Sequence, residues 1–272
     1  MKIFKNKHSL QKEILKQKSI VFVPTMGGLH KGHISLIKRS KSFKGKSLVS
    51  IFINPKQFNN KKDLRSYPRN IKKDLKILKK SKKVDFVYLP KFKDIYKDKK
   101  KPQITLLKKD KILCAKFRKG HFEGVLNVVN RFIEIIKPRY IFLGKKDYQQ
   151  LYLIKKHIEK RKIKSKIIEC KTIRENNGIA CSSRNLNLSK SQIKIASNIF
   201  HYLSNLKKKI KKNYSLFKMN KIKKDLIKLG ANKIDYLENY NTKSFKKIIK
   251  PNKKYNLFFA YYIKKVRLID NI

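Results

Sequence analysis

Two histidines three residues apart, His30 and His33, lie inside the string Pro24-Thr25-Met26-Gly27-Gly28-Leu29-His30-Lys31-Gly32-His33. At the opening of a helix that spacing lets both imidazoles face one side. The string follows an apolar run, Ser19-Ile20-Val21-Phe22-Val23, and precedes helical spacing over Ile34-Ser35-Leu36-Ile37-Lys38-Arg39-Ser40. A strand, a glycine-bearing turn and a helix start are therefore adjacent. That arrangement aims backbone N–H groups and a helix N-terminus at phosphate charge. Gly27, Gly28 and Gly32 leave no Cβ in the way of an approaching ligand. The competing reading is a tight turn with two surface histidines; the full string directly after a strand favours phosphate chemistry.

Three further clusters carry polar chemistry. Asn54-Pro55-Lys56-Gln57-Phe58 follows a second apolar run, and its amides offer both donors and acceptors, as a substrate with hydroxyls and a carboxylate requires. Gly144-Lys145-Lys146-Asp147-Tyr148-Gln149-Gln150 sets a glycine at a strand end before a lysine and an aspartate at a helix start. Ile173-Arg174-Glu175 leads to Cys181-Ser182-Ser183-Arg184, where two hydroxyls and a guanidinium fork suit a triphosphate. A fourth segment, Gly120-His121-Phe122-Glu123-Gly124-Val125, opens a long helix.

The elements that must position these residues alternate. Strands are expected at 20–23, 47–53, 84–89, 140–144 and 166–170, and helices at 34–43, 71–78, 125–136 and 151–159. Such alternation predicts an α/β fold, a Rossmann-like doubly wound parallel sheet with ligands at the carboxyl ends of its strands. From about Asn187 the pattern changes to lysine-rich helices at 191–210 and 222–229 and strands at 234–238, 255–262 and 266–271. The expected organisation is a nucleotide- and substrate-binding domain over 1–186 and a smaller α+β lid domain over 187–272.

Composition narrows the class. The 272 residues suffice for a sizeable core. No apolar run approaches the roughly 18 residues of a membrane span, and the start has no signal-peptide core, so a soluble, cytoplasmic protein is expected. Cys114, Cys170 and Cys181 show neither paired nor metal-ligand spacing. The formal net charge is +56, with 73 Lys+Arg against 17 Asp+Glu. Lysines lie between apolar positions throughout, including Lys72-Lys73, Lys99-Lys100-Lys101 and Lys207-Lys208-Lys209. They therefore predict a solvated surface and weak, non-specific attraction to polyanions rather than a nucleic-acid site.

The His-x-Gly-His pattern resembles the signature of nucleotidyltransferases and class I aminoacyl-tRNA synthetases. Together, in this order and spacing and over nearly the whole chain, including Arg267-Leu268-Ile269-Asp270-Asn271, the motifs resemble the pantoate–β-alanine ligase family. That resemblance implies ATP-dependent condensation of pantoate with β-alanine through a pantoyl adenylate. It releases AMP and pyrophosphate, with Mg²⁺ accompanying ATP and a homodimer as family precedent. It assigns Met26, Gly27, Gly28, Leu29, His30, Lys31, Gly32 and His33 to ATP, with His33 at the position of the catalytic acid and His30 assisting. Gly144, Lys145, Lys146 and Asp147 match a second ATP segment, with Lys146 on phosphate; Ile173, Cys181, Ser182, Ser183 and Arg184 complete the ATP site, and Lys146 and Arg184 join the two histidines as the catalytic groups that neutralise charge growing on the α-phosphate and the leaving pyrophosphate. Gln57 and Gln150 match the glutamines that hold pantoate, Gln57 lies near β-alanine, and Asn54 supports the pocket. No protein ligand set for a metal is implied. Departures are Lys145 for the usual glutamate, Cys181 for leucine or methionine, Glu123 for arginine, Lys119 for proline, and Lys73 at a site often acidic, beside Asp74. The alternative is an RNA-interacting protein on a tRNA-synthetase-like core, but the chain has no Lys-Met-Ser-Lys-Ser-type loop and no large anticodon-binding region.

Overall fold

A computed structural model describes residues 1–96, 104–212, 217–248 and 255–272; the run Lys99-Lys100-Lys101 lies outside them. The chain divides into two compact units, Met1–Ile173 and Arg174–Ile272.

In the first unit β1 (Lys2–Phe4), β2 (Ile20–Thr25), β3 (Lys46–Ile51), β4 (Phe86–Tyr88), β5 (Tyr140–Gly144) and β6 (Lys166–Cys170) form one sheet in the order β1-β4-β3-β2-β5-β6. Every pairing is parallel. Its central strands are covered on both faces, which is why they are written as continuous apolar runs. The two-residue period then sorts the side chains. Val21 and Val23 join the core cluster containing Leu36 and Ile37 of α2 (Lys31–Ser40) and Leu78 of α4 (Ile71–Ser81). Phe22, one step out of phase, meets Phe132 of α7 (His121–Ile136) with ring centroids 5.4 Å apart. The remaining helices of this unit are α1 (Lys7–Ile14), α3 (Lys61–Ser66), α5 (Phe92–Tyr96), α6 (Cys114–Phe117) and α8 (Tyr148–Lys160).

From β2 the chain works outward through β3 and β4 to the returning β1, while β5 and β6 lie on the other side of β2. The order reverses between β2 and β5. Connections on either side of such a reversal part, and leave a crevice at the carboxyl ends of the strands. The segments that leave those ends are Met26–His30 and the 3₁₀ turn Lys145–Asp147.

The second unit carries α9 (Lys190–Lys212), α10 (Met219–Lys228) and the antiparallel sheet β7 (Lys233–Asn241), β8 (Tyr255–Ile263) and β9 (Val266–Asn271). Ile199, Leu203, Ile222 and Leu226 of its helices pack with Leu237, Leu257 and Phe259 of its sheet. Residues 174–186 group with this unit rather than with the larger one expected to run to 186. The reason is local: Arg174 donates to Asp270 at 2.6 and 3.2 Å, Arg174 bridges Ala180, and Ile179 and Leu188 enter the second core. Lysines take the solvated helix faces. In α4 every lysine is exposed while Asp74 and Leu78 are buried. Among the described residues no helix is long and apolar enough to cross a membrane.

Candidate active site

His30 is the N-cap of α2. Its Nδ1 accepts the Gly32 N–H at 3.2 Å, and the Nδ1 of His33 accepts the His30 N–H at 3.4 Å. This is a reciprocal capping box with two imidazoles in place of a hydroxyl and a carboxylate. The rings lie 4.1 Å apart. A nitrogen that accepts a backbone proton carries none itself, so each neutral ring holds its proton on Nε2, the atom turned away from the backbone. Burial, then the neighbouring His30, lower the His33 pKa to about 3; Asp147 opposes this and Lys146 adds to it. His33 is therefore a neutral Nε2–H donor near pH 7. Lys146 and Asp147 are near enough for their charges to act on His33.

The turn before His30 is held from α4. Both oxygens of the buried Asp74 carboxylate accept backbone protons, from Gly28 at 3.0 Å and Leu29 at 2.8 Å. Gly27 has φ +80° and passes so close that a Cβ there would lie 2.8 Å from Asp74 Oδ2. Thr25 donates to the Ser50 carbonyl at 2.6 Å and fixes the end of β2 against β3. The sequence marks Asp74 only as an acid beside Lys73.

Lys146 lies in the 3₁₀ turn after Gly144, with its ammonium 3.2 Å from Asp147. Lys145 turns to Glu169 on β6, at 3.2 Å, and shares it with Lys155 at 2.7 Å. Although burial opposes it, these lysine contacts hold the Glu169 carboxyl below its ordinary pKa. The lysine that stands in place of a glutamate is thus balanced by a glutamate on the adjacent strand. Gln150 is half-buried in the first turn of α8, beside Gln149, whose amide donates to the Ile112 carbonyl at 2.7 Å.

Asn54 caps the 3₁₀ turn Pro55–Gln57 beyond β3, Gln57 closes it, and both are buried. Asn54 donates to Gln57 Oε1 at 3.3 Å and to the Gly124 carbonyl at 3.1 Å, and accepts from Tyr96 at 3.0 Å. Gln57 donates to Met26 Sδ at 2.9 Å, which ties this turn to the segment after β2. Gly124 permits the packing: a Cβ there would stand 2.3 Å from the Lys56 carbonyl oxygen and 2.7 Å from Gln57 Cα. His121, at the head of α7, bonds the Gln57 carbonyl through Nδ1 at 2.7 Å. In the sequence, His121 and Gly124 do no more than open a helix.

Met26 to His33, Gly144 to Asp147, Asn54 and Gln57 thus gather at the carboxyl ends of β2, β3 and β5. Ile173 ends the first unit. Cys181, Ser182, Ser183 and Arg184 belong to the second, where Ser182 caps a 3₁₀ turn by accepting the Arg184 N–H at 3.3 Å and buried Cys181 donates to Glu175 at 3.0 Å. Among the described residues no group of three or more His, Cys, Asp or Glu side chains is arranged to hold a metal.

The chain matches the family model described as Pantoate-beta-alanine ligase over residues 2–272. It is 41% identical over 271 residues to the pantothenate synthetase of Francisella tularensis subsp. novicida, covering 98% of this chain and 94% of that protein. The crystal structure of pantoate-beta-alanine ligase from Francisella tularensis, complexed with beta-gamma ATP and beta-alanine, superposes with TM-score 0.84 at 39% identity, covering all of this chain and 97% of the other. Pantothenate synthetase from Thermus thermophilus superposes with TM-score 0.92 at 26% identity, covering all of this chain and 99% of the other. The RNA-interacting alternative finds no support among these. With a signature that spans residues 2–272 and a site built at the reversal of a parallel sheet, the chain belongs to the pantoate-beta-alanine ligase family, enzymes that join pantoate to β-alanine with ATP.

Proposed function

We propose that His30, His33 and Lys146 receive the phosphates of MgATP while Gln57 and Gln150 hold pantoate against the α-phosphate. The observation that carries this reading is the capped histidine pair, whose Nδ1 atoms are taken by backbone N–H groups so that each neutral ring carries its proton on Nε2, with Lys146 near enough for its charge to act on His33. In the first half-reaction a pantoate carboxylate oxygen attacks the α-phosphorus. The bond to the β-phosphate breaks and pyrophosphate leaves with its electron pair. Negative charge grows on the α-phosphate and on the leaving group, where preorganised donors are most effective. His33 serves as a hydrogen-bond donor there, since a group with pKa about 3 holds no second proton at neutral pH. In the second half-reaction the β-alanine amine attacks the acyl carbon, the bond to AMP breaks, and the amine proton passes to solvent. No side-chain nucleophile is needed.

Met26, Gly27, Gly28, Leu29, Lys31 and Gly32 line the nucleotide segment, with Gly144, Lys145 and Asp147 as the second. Ile173, Cys181, Ser182, Ser183 and Arg184 are assigned to ATP on the resemblance of their motif, and Asn54 to support of Gln57. Mg²⁺ is taken up with the nucleotide phosphates. The complex of the Francisella tularensis enzyme with beta-gamma ATP and beta-alanine supports the same two ligands here. A cytoplasmic homodimer with no sequence-specific nucleic-acid site and no membrane attachment completes the proposal. Purified protein should release AMP only when pantoate, β-alanine, ATP and Mg²⁺ are all present. Turnover that ignores pantoate would reject the assignment.

A further inference from the structure

We propose that His121 is a positioning residue for pantoate, acting through the main chain of Gln57 in a tautomer imposed by Arg118. The inference rests on the assignment of Gln57 to pantoate.

The geometry leaves one polarity for the relay. An Arg118 guanidinium nitrogen lies 2.8 Å from His121 Nε2, and a guanidinium only donates. Nε2 is therefore the acceptor, so the ring proton sits on Nδ1. That proton points at the Gln57 carbonyl oxygen 2.7 Å away. Arg118 is itself steadied by Asp63 of α3 at 3.7 Å. The buried imidazole thus pins a 3₁₀ turn whose side chains Asn54 and Gln57 are already crossed by an amide–amide bond. The turn has little freedom to drift while the bond holds. Without it, the Gln57 carbonyl loses its side-chain donor and the turn is held on that side by packing against Gly124.

The polarity is the reverse of the phosphate-side pair. There Nδ1 accepts and Nε2 carries the proton. The sequence shows three histidines near glycines; in the structure two cap the helix they stand on and the third is bonded to a distant main-chain carbonyl.

The test compares His121→Ala, His121→Asn, Arg118→Ala and Gln57→Ala by steady-state KM for pantoate, ATP and β-alanine, with melting temperatures alongside. A single uncharged hydrogen bond is worth roughly 1 kcal/mol, about a fivefold change. We expect His121→Ala to raise the pantoate KM about five- to tenfold with the ATP KM within about twofold. The amide nitrogen of His121→Asn replaces the Nδ1 donor and should recover most of the loss. Arg118→Ala should raise the pantoate KM by a smaller factor and shift the His121 ¹⁵N resonances away from the Nδ1–H pattern. Should His121→Ala not fold, His121→Asn and Arg118→Ala still decide the matter. Equal rises in the pantoate and ATP KM values, no recovery in His121→Asn, or an Nε2–H signature for His121 would each overturn the proposal. If Gln57→Ala leaves the pantoate KM unchanged, the assignment of Gln57 fails and the relay with it. If Gln57→Ala raises it and the His121 and Arg118 variants do not, only the relay fails.

Discussion

The two sides of the site, the one proposed for phosphate and the one proposed for pantoate, are held by different means. On the phosphate side, the functional groups hold themselves. His30 and His33 cap the helix they stand on, within a span of four residues, and the segment before them bends through glycine. Asp74 adds a hold from a distant helix. On the pantoate side the local bonds within the Asn54–Gln57 turn are joined by distant ones. Asn54 and Gln57 are set by Gly124 and His121, about seventy residues downstream, and by Tyr96. A local motif survives wide change elsewhere in the chain; a packed turn depends on the surfaces that meet it. The phosphate side should therefore fail through its own donors, and the pantoate side through its neighbours.

The largest effect expected comes from removing a phosphate-side donor. His33→Ala or Lys146→Ala should slow adenylate formation about a hundred- to a thousandfold, since one donor at developing charge is worth roughly 2.7–4 kcal/mol. Pyrophosphate release in a single turnover measures the step directly. Rates near wild type in both variants would remove the distinction between the two sides, because the capped pair would then be scaffold only.

A matched pair of glycine substitutions sharpens the comparison. At Gly27 an added methyl meets a carboxylate oxygen at 2.8 Å with φ at +80°, so the cost falls on the segment that leads into His30. At Gly124 it meets main chain at 2.3 Å, which cannot rotate away. Overpacking of this kind costs about 1–3 kcal/mol of stability. Gly27→Ala should weaken ATP more than pantoate, and Gly124→Ala pantoate more than ATP, each by about tenfold. Isothermal titration with each substrate separately reads the split. The same substrate suffering in both variants would show that the two sides move as one body.

The contrast also explains what was legible in the sequence. Val21-Phe22-Val23 declares a strand buried on both faces, and the glycines and histidines after it declare a turn and a helix start, because strand, turn and cap are all short-range. The doubly wound parallel sheet follows from the alternation of elements, but that its order reverses between β2 and β5 does not. β1 spans three residues and α3 six, too few to show a period, and neither stands out in the sequence. The role of Gly124 is invisible without its neighbours, since a glycine in a helix start looks the same whether or not Lys56 lies against it. Asp74 was visible as an acid, but the two N–H groups it accepts lie more than forty residues away in the chain. The change of character near 187 tracks the lysine-rich α9, whereas the second unit already begins at Arg174, through a pairing with Asp270 at the far end of the chain.

The smallest effect expected is one of acid stability, and it tests the charge state of the phosphate-side ring. His33 has a folded pKa of about 3 against an ordinary 6.5, chiefly because burial disfavours its charge. Above pH 6.5 it is neutral whether the chain is folded or not, and contributes no pH dependence. Between pH 6.5 and 3 the unfolded chain takes up a proton that the folded chain refuses, so stability falls as the pH falls. His157, lowered by burial and then by Arg161, acts in the same direction from the same starting point. Glu169 and Asp85, whose pKa values are also lowered, contribute only further down, as the pH falls below the ordinary carboxylate range and through their folded values. The window from pH 6.5 to about 5 thus belongs to histidines. A glutamine at position 33 keeps a side-chain donor and cannot titrate. His33→Gln should therefore flatten part of the decline in melting temperature across that window and leave the remainder from His157. An unaltered slope in His33→Gln would mean that the imidazole at the head of α2 is charged in the folded enzyme, and that it meets ATP as a cation instead of as a neutral donor.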